Sequence, residues 1–293
     1  MFASIKELLV TRVLDPLAGA LPRNVRSYCV HHALRREATE VGAHDRESLA
    51  RGYLRGAGLE VGALNSPLPI DDLARVSYVD FETPEELRRR HPNLQFKSPD
   101  IVDDGARLAS VADESQDFLI ACHLIEHMED PIGAVKNWLR VLKPGGILFL
   151  AIPDRRFTFD FHRPATTWEH LKRDHEEGPA WSRTAHFEEV FRKVVGVEDE
   201  ERVRRLAADP ENRDTHFHVW SQTEMLEFVA ALRRYGLDFE VEAFCAYGNE
   251  GTFVLRKGAR EDLASAEESL KAVRAEFEET SARAGVAGPA GKR

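Results

Sequence analysis

Apolar residues follow two rhythms along this chain. Between residues 58 and 154, short and mostly apolar runs alternate with stretches in which apolar residues recur every three or four positions. The short runs lie at 59–62, 76–80, 118–122 and 147–152. Runs of this length predict strands buried on both faces, as in a parallel sheet covered by helices. The segment PIGAVKNWLRVL at 131–142 predicts an amphipathic helix, with Pro131 at its first position and Pro144, Gly145 and Gly146 beyond its end. Further helices are predicted over 3–20, from Ile5, Leu8, Leu9, Val13 and Leu17, and over about 45–57, from Leu49, Tyr53 and Leu54.

From 154 to about 218 the pattern breaks. Strand signals are few, charges are many, and half of the chain's twelve histidines fall here. A structureless loop of that length is uncommon inside a compact domain, so the segment predicts a partly helical insertion. The pattern resumes with a helix at about 224–234 and strands near 239–246 and 252–256. The tail is predicted to be helical to about 280, with Leu263, Leu270, Val273 and Phe277 on one stripe that suits docking on its own domain or a homodimer. It ends in GVAGPAGKR, a composition typical of disorder. Four parts follow: N-terminal helices at 1–57, an α/β core at 58–154 and 219–257, an insertion at 155–218, and a C-terminal tail at 258–293. Ligands of such open sheets gather at the carboxyl ends of the strands.

Charge and cysteine content narrow the classes of function. A formal net charge of −10 argues against a nucleic-acid binder, which needs clustered Lys and Arg. Cys29, Cys122 and Cys245 are widely spaced, odd in number and form no CxxC pair, which suits a reducing, cytoplasmic setting. The amphipathic start is interrupted by Lys6, Arg12 and Asp15, so neither a signal peptide nor a membrane span is expected there.

The first candidate for chemistry is GLEVGALNSPLP at 58–69. A dinucleotide needs a tight glycine turn feeding a helix N-terminus that holds the pyrophosphate. Pro67 and Pro69 cripple any such helix, which argues against a nicotinamide or flavin dinucleotide and leaves a dinucleotide oxidoreductase as a distant rival. Asp80 in YVDFET lies eighteen residues past Gly62 and ends the second strand, where a carboxylate can accept both hydroxyls of an adenosine ribose. The third stretch runs FLIACHLIEHMEDP at 118–131 and, after the helix, LKPGGILFLAIPD at 142–154.

That order of strand, LIEHMEDP, helix, LKPGG and strand resembles the class I S-adenosylmethionine-dependent methyltransferases, in particular the subgroup acting on small molecules, lipids and sugars. The likeness covers roughly 55–154, and 220–257 more loosely. It implies a Rossmann-like α/β fold: a seven-stranded, mostly parallel sheet with helices on both faces, its last strand antiparallel, and the helical insertion after the fifth strand. On this resemblance Glu60, Gly62 and Ala63 fall at the methionine end of the cofactor, Asp80 at the ribose and Phe81 against the adenine. Asp104, Gly105 and Ala106 fall at the adenine amino group, and His123 opens the loop after the fourth strand. Leu64 and Ser66 depart from the pattern, which keeps glycines there. The cofactor has no phosphate, so the missing helix matters less. Asn65, which tolerates a left-handed turn, or Ser66 is expected to supply donors to its carboxylate.

The loop CHLIEH is unlike the Asn/Asp-Pro-Pro-aromatic loop of enzymes that methylate amide or base nitrogens, which favours an oxygen or carbon acceptor. A hydroxyl acceptor benefits from a histidine base, and His127 is the leading candidate, with Asp154 expected to orient it. In DRRFTFDFHRP at 154–164, Arg155, Phe159, His162 and Arg163 suit a polyhydroxylated or anionic acceptor. His216 and His218 share one face if extended, as acceptor contacts or as ligands of a divalent cation such as magnesium. His170, Asp174, His175 and His186 are expected on a solvated helical face. The expectation is an S-adenosylmethionine-dependent O-methyltransferase acting on a small molecule, preferably a sugar or oligosaccharide. The rival readings are carbon or carboxyl methylation of a lipid or quinone precursor, and a non-catalytic methyltransferase-like partner subunit.

Overall fold

The computed structural model describes residues 46–70, 72–209 and 215–258. The helix expected over 3–20, the tail stripe from Leu263 to Phe277 and Cys29 lie outside the described residues. A seven-stranded sheet forms the centre, in the order β3-β2-β1-β4-β5-β7-β6. Its strands are β1 (Gly56–Val61), β2 (Ala74–Asp80), β3 (Ile101–Val102), β4 (Gln116–Cys122), β5 (Leu142–Pro153), β6 (Phe239–Tyr247) and β7 (Glu250–Lys257). Neighbours from β3 through β5 pair in parallel, whereas β7 runs antiparallel to both β5 and β6. The mostly parallel sheet with an antiparallel last strand is therefore as expected.

Side-chain alternation along the central strands feeds a core on each face of the sheet. Leu119 and Ala121 of β4 and Leu148, Leu150 and Ile152 of β5 pack with α3 (Pro131–Val141) and α7 (Gln222–Arg234). Phe118, Ile120, Ile147 and Phe149 turn the other way, toward Ala50 of α1 (Arg46–Tyr53) and Leu54 just after it. Strands so placed are apolar at almost every position, which is why their sequences carry no alternation. The helix α3 begins where Asp130 accepts from the Gly133 N–H at 2.9 Å with Pro131 next in line. Its end differs slightly from expectation. Pairing with β4 begins at Leu142 and shifts register before Ile147, so the Pro-Gly-Gly turn is absorbed into β5.

Two glycines have steric reasons. A Cβ on Gly58 would lie 2.3 Å from the Phe118 carbonyl oxygen and 2.5 Å from its ring, because β1 and β4 press together there. Gly58→Ala is expected to destabilise the protein by about 3 kcal/mol, read as a lower urea midpoint, since over-packing a closed core costs on that order. An unchanged midpoint would contradict this strand pairing. Gly62, at φ +70, ends β1 in the left-handed region and packs against Leu124 of the loop after β4.

Between β1 and β2 the described residues contain no helix, as Pro67 and Pro69 require. The short helix α2 (Pro84–Arg90) follows β2. The insertion holds α4 (Trp168–Glu177), α5 (Ala180–Val190) and α6 (Glu200–Ala207) around a small core of Phe187, Ala207 and Phe217. Its return leg is tied by backbone bonds to the loops that follow β4 and β5. Phe217 and His218 N–H both donate to the Glu126 carbonyl, at 2.7 and 3.2 Å, and Arg155 N–H donates to the Trp220 carbonyl at 2.8 Å. That attachment brings His216 and His218 to the loop after β4. No helix among the described residues is long and apolar enough to cross a membrane.

Candidate active site

At the carboxyl ends of β1 and β4 lies a cavity of about 330 Å3. Glu60, Gly62, Ala63, Leu64, Asn65, Ser66 and His123 line it, so the expected methionine-end residues converge. Glu60 is 2 % exposed, its Oε1 accepts from the Leu68 N–H at 2.8 Å, and its Oε2 is buried with no hydrogen-bond partner. Burial pushes its carboxyl up to about 7, against the Leu68 bond and the charges of Arg46 and Lys97. Within the turn, Leu64 as well as Gly62 is left-handed, at φ 42. Asn65 and Ser66 are left exposed toward the cavity.

Four lining residues were not anticipated: Arg46, Cys122, Asn249 and Glu250. The β6–β7 turn brings Asn249 and Glu250 over the end of β5, where Asn249 accepts from the Asp154 N–H at 2.7 Å. His123, itself left-handed at φ 51, places Nε2 2.6 Å from Glu250 Oε2, and Arg46 meets the same oxygen at 3.2 Å. Burial alone would lower the His123 pKa, but the Glu250 bond and the charge of Glu126 outweigh it and raise it. Desolvation pushes the half-buried Cys122 thiol up to about 12, so it stays protonated.

Beyond the cavity, at the ends of β2 and β3, stand the residues assigned to ribose and adenine. Asp80 ends β2 and its Oδ1 accepts from the Glu82 N–H at 3.0 Å, while burial raises its pKa. Phe81 is 62 % exposed, with the Arg90 guanidinium over its ring. Asp104 caps the next turn through the Ala106 N–H at 2.9 Å, and the Gly105 carbonyl accepts from Trp138 Nε1 at 2.7 Å. The Trp138 bond fixes the turn to α3.

On the other side of the β4 loop, three side chains meet. Glu126 is 1 % exposed, and neither carboxylate oxygen has a hydrogen-bond partner. Its Oε1 lies 4.0 Å from His127 Nε2 and 3.9 Å from His216 Nε2. The His127 and His216 rings meet edge-on, 4.7 Å apart. His216 Nδ1 lies 2.6 Å from Asp160 Oδ2, and Arg163 donates to Asp160 Oδ1 at 2.9 Å. Burial works to raise the Asp160 pKa, but His216 and Arg163 hold it below the usual range, so the carboxylate is ionised. An ionised Asp160 keeps a proton on His216 Nδ1 and leaves Nε2 facing Glu126. The ring of Phe159, 44 % exposed, lies 4.7 Å from that of His216.

Residues 56–150 match the family model described as a methyltransferase domain. The chain carries a class I S-adenosylmethionine-dependent methyltransferase domain. It is an enzyme of that class, and S-adenosylmethionine is its cofactor. The strand order agrees with the family match. Among solved structures, a methyltransferase from Methanosarcina mazei is 20 % identical, covering 70 % of this chain and 95 % of its own, with a TM-score of 0.37. One from Aquifex aeolicus is 12 % identical over 72 % of this chain and 88 % of its own, at 0.38. A Pyrococcus horikoshii protein is 19 % identical over 72 % and 86 %, at 0.40. These scores are too low to add to the argument. No curated protein matches the chain.

The methyltransferase cavity suits its cofactor. The orphaned Glu60 Oε2 matches an amino acid's ammonium, and Arg46, Asn65 and Ser66 are placed to meet a carboxylate. Without ligand, Glu60 makes stability depend on pH. Its pKa is raised from 4.5 to about 7 on folding, so the folded chain holds a proton that the unfolded chain has released. The stabilisation is full below about pH 4.5 and is lost as pH rises through about 7, by up to about 3 kcal/mol. Glu60→Gln is expected to flatten that slope in thermal unfolding between pH 5 and 8. Parallel profiles for parent and variant would contradict it.

Several acceptor-side expectations need correction. Asp154 also serves Arg156, whose Nε and N–H both donate to its Oδ1 at 3.0 Å and whose NH2 donates to Oδ2 at 2.7 Å. A carboxylate not anticipated, that of Glu126, lies 4.0 Å from His127 Nε2. Arg163 is 1 % exposed and committed to Asp160, Glu189 and the carbonyls of His216 and Phe217, so its fork holds the insertion instead of meeting an acceptor. Arg155 likewise donates to the Phe161 and Arg163 carbonyls, and His162 is exposed against Phe161. His216 and His218 do not share a site. His218 is fully buried and points to Asp174, His170 and His186, residues expected on a solvated face. His175 alone of that set turns elsewhere, to Asp130 at 2.9 Å.

Proposed function

We propose that this methyltransferase transfers a methyl group to a hydroxyl of a small, polar molecule, with a sugar or oligosaccharide as the preferred acceptor and His127 as the base. The observation that carries the reading is Glu126: a buried carboxylate without a hydrogen-bond donor, between His127 and His216, on the loop that also lines the cofactor cavity. Such a carboxylate is costly unless a proton or a donor arrives, and an acceptor hydroxyl is a fitting donor.

When bound, S-adenosylmethionine supplies a methyl carbon activated by a sulfonium, and positioning then accounts for much of the rate. The acceptor's O–H proton passes to His127 as its oxygen gains the methyl, and S-adenosylhomocysteine is left with a neutral sulfur. Glu126 stands 4.0 Å from His127 Nε2, while Asp160 and Arg163 hold His216 in place. The exposed ring of Phe159 offers a platform to the apolar face of a sugar. With Arg155 and Arg163 committed internally, an anionic acceptor loses its expected forks.

A magnesium-type ion finds little support, since both convergent groups of possible ligands among the described residues contain histidines, which this hard cation disfavours. The test is transfer of an isotopically labelled methyl group from the cofactor to a panel of sugars, phenols and lipids. A base-stable ether on a sugar is the expected product. Exclusive labelling at carbon or carboxyl groups would overturn the reading.

A further inference from the structure

The insertion contains a second convergence of ligating atoms that methyl transfer does not use. His170 and Asp174, one turn apart on α4, meet His186 of α5 and His218 of the return leg. One ligating atom from each lies within 4.8 Å of every other. His170 Nε2 is 3.0 Å from His186 Nε2 and 3.1 Å from Asp174 Oδ2, and His218 Nε2 is 3.7 Å from the same oxygen. Ligands at about 2.0–2.1 Å around a tetrahedral zinc ion stand roughly 3.3 Å from one another, which these separations bracket.

Hydrogen bonding accounts poorly for this arrangement. Asp174 is 1 % exposed, and its Oδ2 accepts no hydrogen bond although two imidazole nitrogens are within 4 Å. The nitrogens are near the oxygen without aiming their N–H groups at it. Asp174 Oδ1, by contrast, accepts from Ser182 Oγ at 2.6 Å, so one oxygen is anchored and the other is left facing the cluster. His218, at 0 % exposure, has one other polar neighbour at Nε2, the Glu129 carbonyl at 3.4 Å, the long limit of a hydrogen bond. His170, with 27 % of its side chain exposed, leaves a way in from solvent beside Trp181.

We propose that His170, Asp174, His186 and His218 bind one zinc-class divalent ion, which clamps the insertion onto the methyltransferase core. Three imidazoles and a carboxylate suit zinc over magnesium or calcium. Four protein ligands leave no open position, so the ion is structural. Its ligands join α4 and α5 to the return leg, and two residues before His218 that leg carries His216 to Glu126 and His127. The clamp therefore sets the acceptor side without touching it.

The test uses the full chain, stripped with a chelator and titrated with zinc chloride, with metal content and thermal midpoint as readouts. About one zinc per chain and a raised midpoint are expected. Asp174→Asn and His170→Gln should weaken zinc by about a hundredfold or more, while His127→Asn should bind it like the parent. Because His170 is partly exposed, its variant keeps a folded test available if Asp174→Asn misfolds. Cobalt in place of zinc should give the strong visible absorption of a four-coordinate ion. No zinc uptake at tens of micromolar, undiminished affinity in folded His170→Gln, or loss of zinc in His127→Asn would each overturn the proposal.

Discussion

Asp80→Ala is expected to weaken S-adenosylhomocysteine binding about a hundredfold while leaving the thermal midpoint within a few degrees of the parent's. Asp80 stands at the end of β2, half-buried, its pKa raised by that burial. A carboxylate there is held at a cost that two ribose hydroxyls repay with charge-assisted hydrogen bonds. Losing them costs about 3 kcal/mol, or about a factor of a hundred. The side chain also accepts from the Glu82 N–H, so Asp80→Asn is the informative companion: it preserves the turn and should lose about tenfold. Calorimetric titration separates the outcomes. Equal affinity in parent and alanine variant would mean that the adenosine lies elsewhere, and the roles of Phe81 and Asp104 would fall with it.

The parts of this molecule legible in the sequence are those where one physical rule acts alone. Strands buried on both faces announce themselves as apolar runs, so β1, β2, β4 and β5 were placed to within a few residues. Proline's missing donor was enough to forbid a helix after β1. The acceptor side was harder because its residues meet through tertiary contacts. Glu126 is buried in a region where the return leg of the insertion bonds to its carbonyl, a contact that no local pattern announces. His216 and His218, two apart, suggested one site. The intervening Phe217 packs into the insertion's own core, and the two rings go to different clusters. The spacing of His170 and Asp174 was visible, but charge density on α4 favoured a solvated face. Only the docking of α5 and the return leg turns that pair inward. Arg46 and Glu250 come from the two ends of the described chain, and no local pattern could have joined them at the cavity.

His127→Asn is expected to lower kcat for methyl transfer by about 10²- to 10⁴-fold, the usual worth of a positioned base, with S-adenosylhomocysteine affinity unchanged. Asparagine retains a polar group of similar reach beside Glu126 and His216 and cannot take up a proton, so packing is disturbed little. The acidic limb of kcat/KM against pH, imposed by a base that must be deprotonated to act, should vanish in the variant. Glu126→Gln should act less severely and differently. It removes a charge 4.0 Å from His127 Nε2 and leaves the base in place, so the limb should remain visible. This pair of profiles separates a proton acceptor from a scaffold residue, because misplacement of the loop would lower kcat in both variants and leave the parent's limb in place. Should His127→Asn retain the parent's kcat, the base lies elsewhere, and His216, fixed by Asp160 on the opposite side of Glu126, becomes the group to replace next.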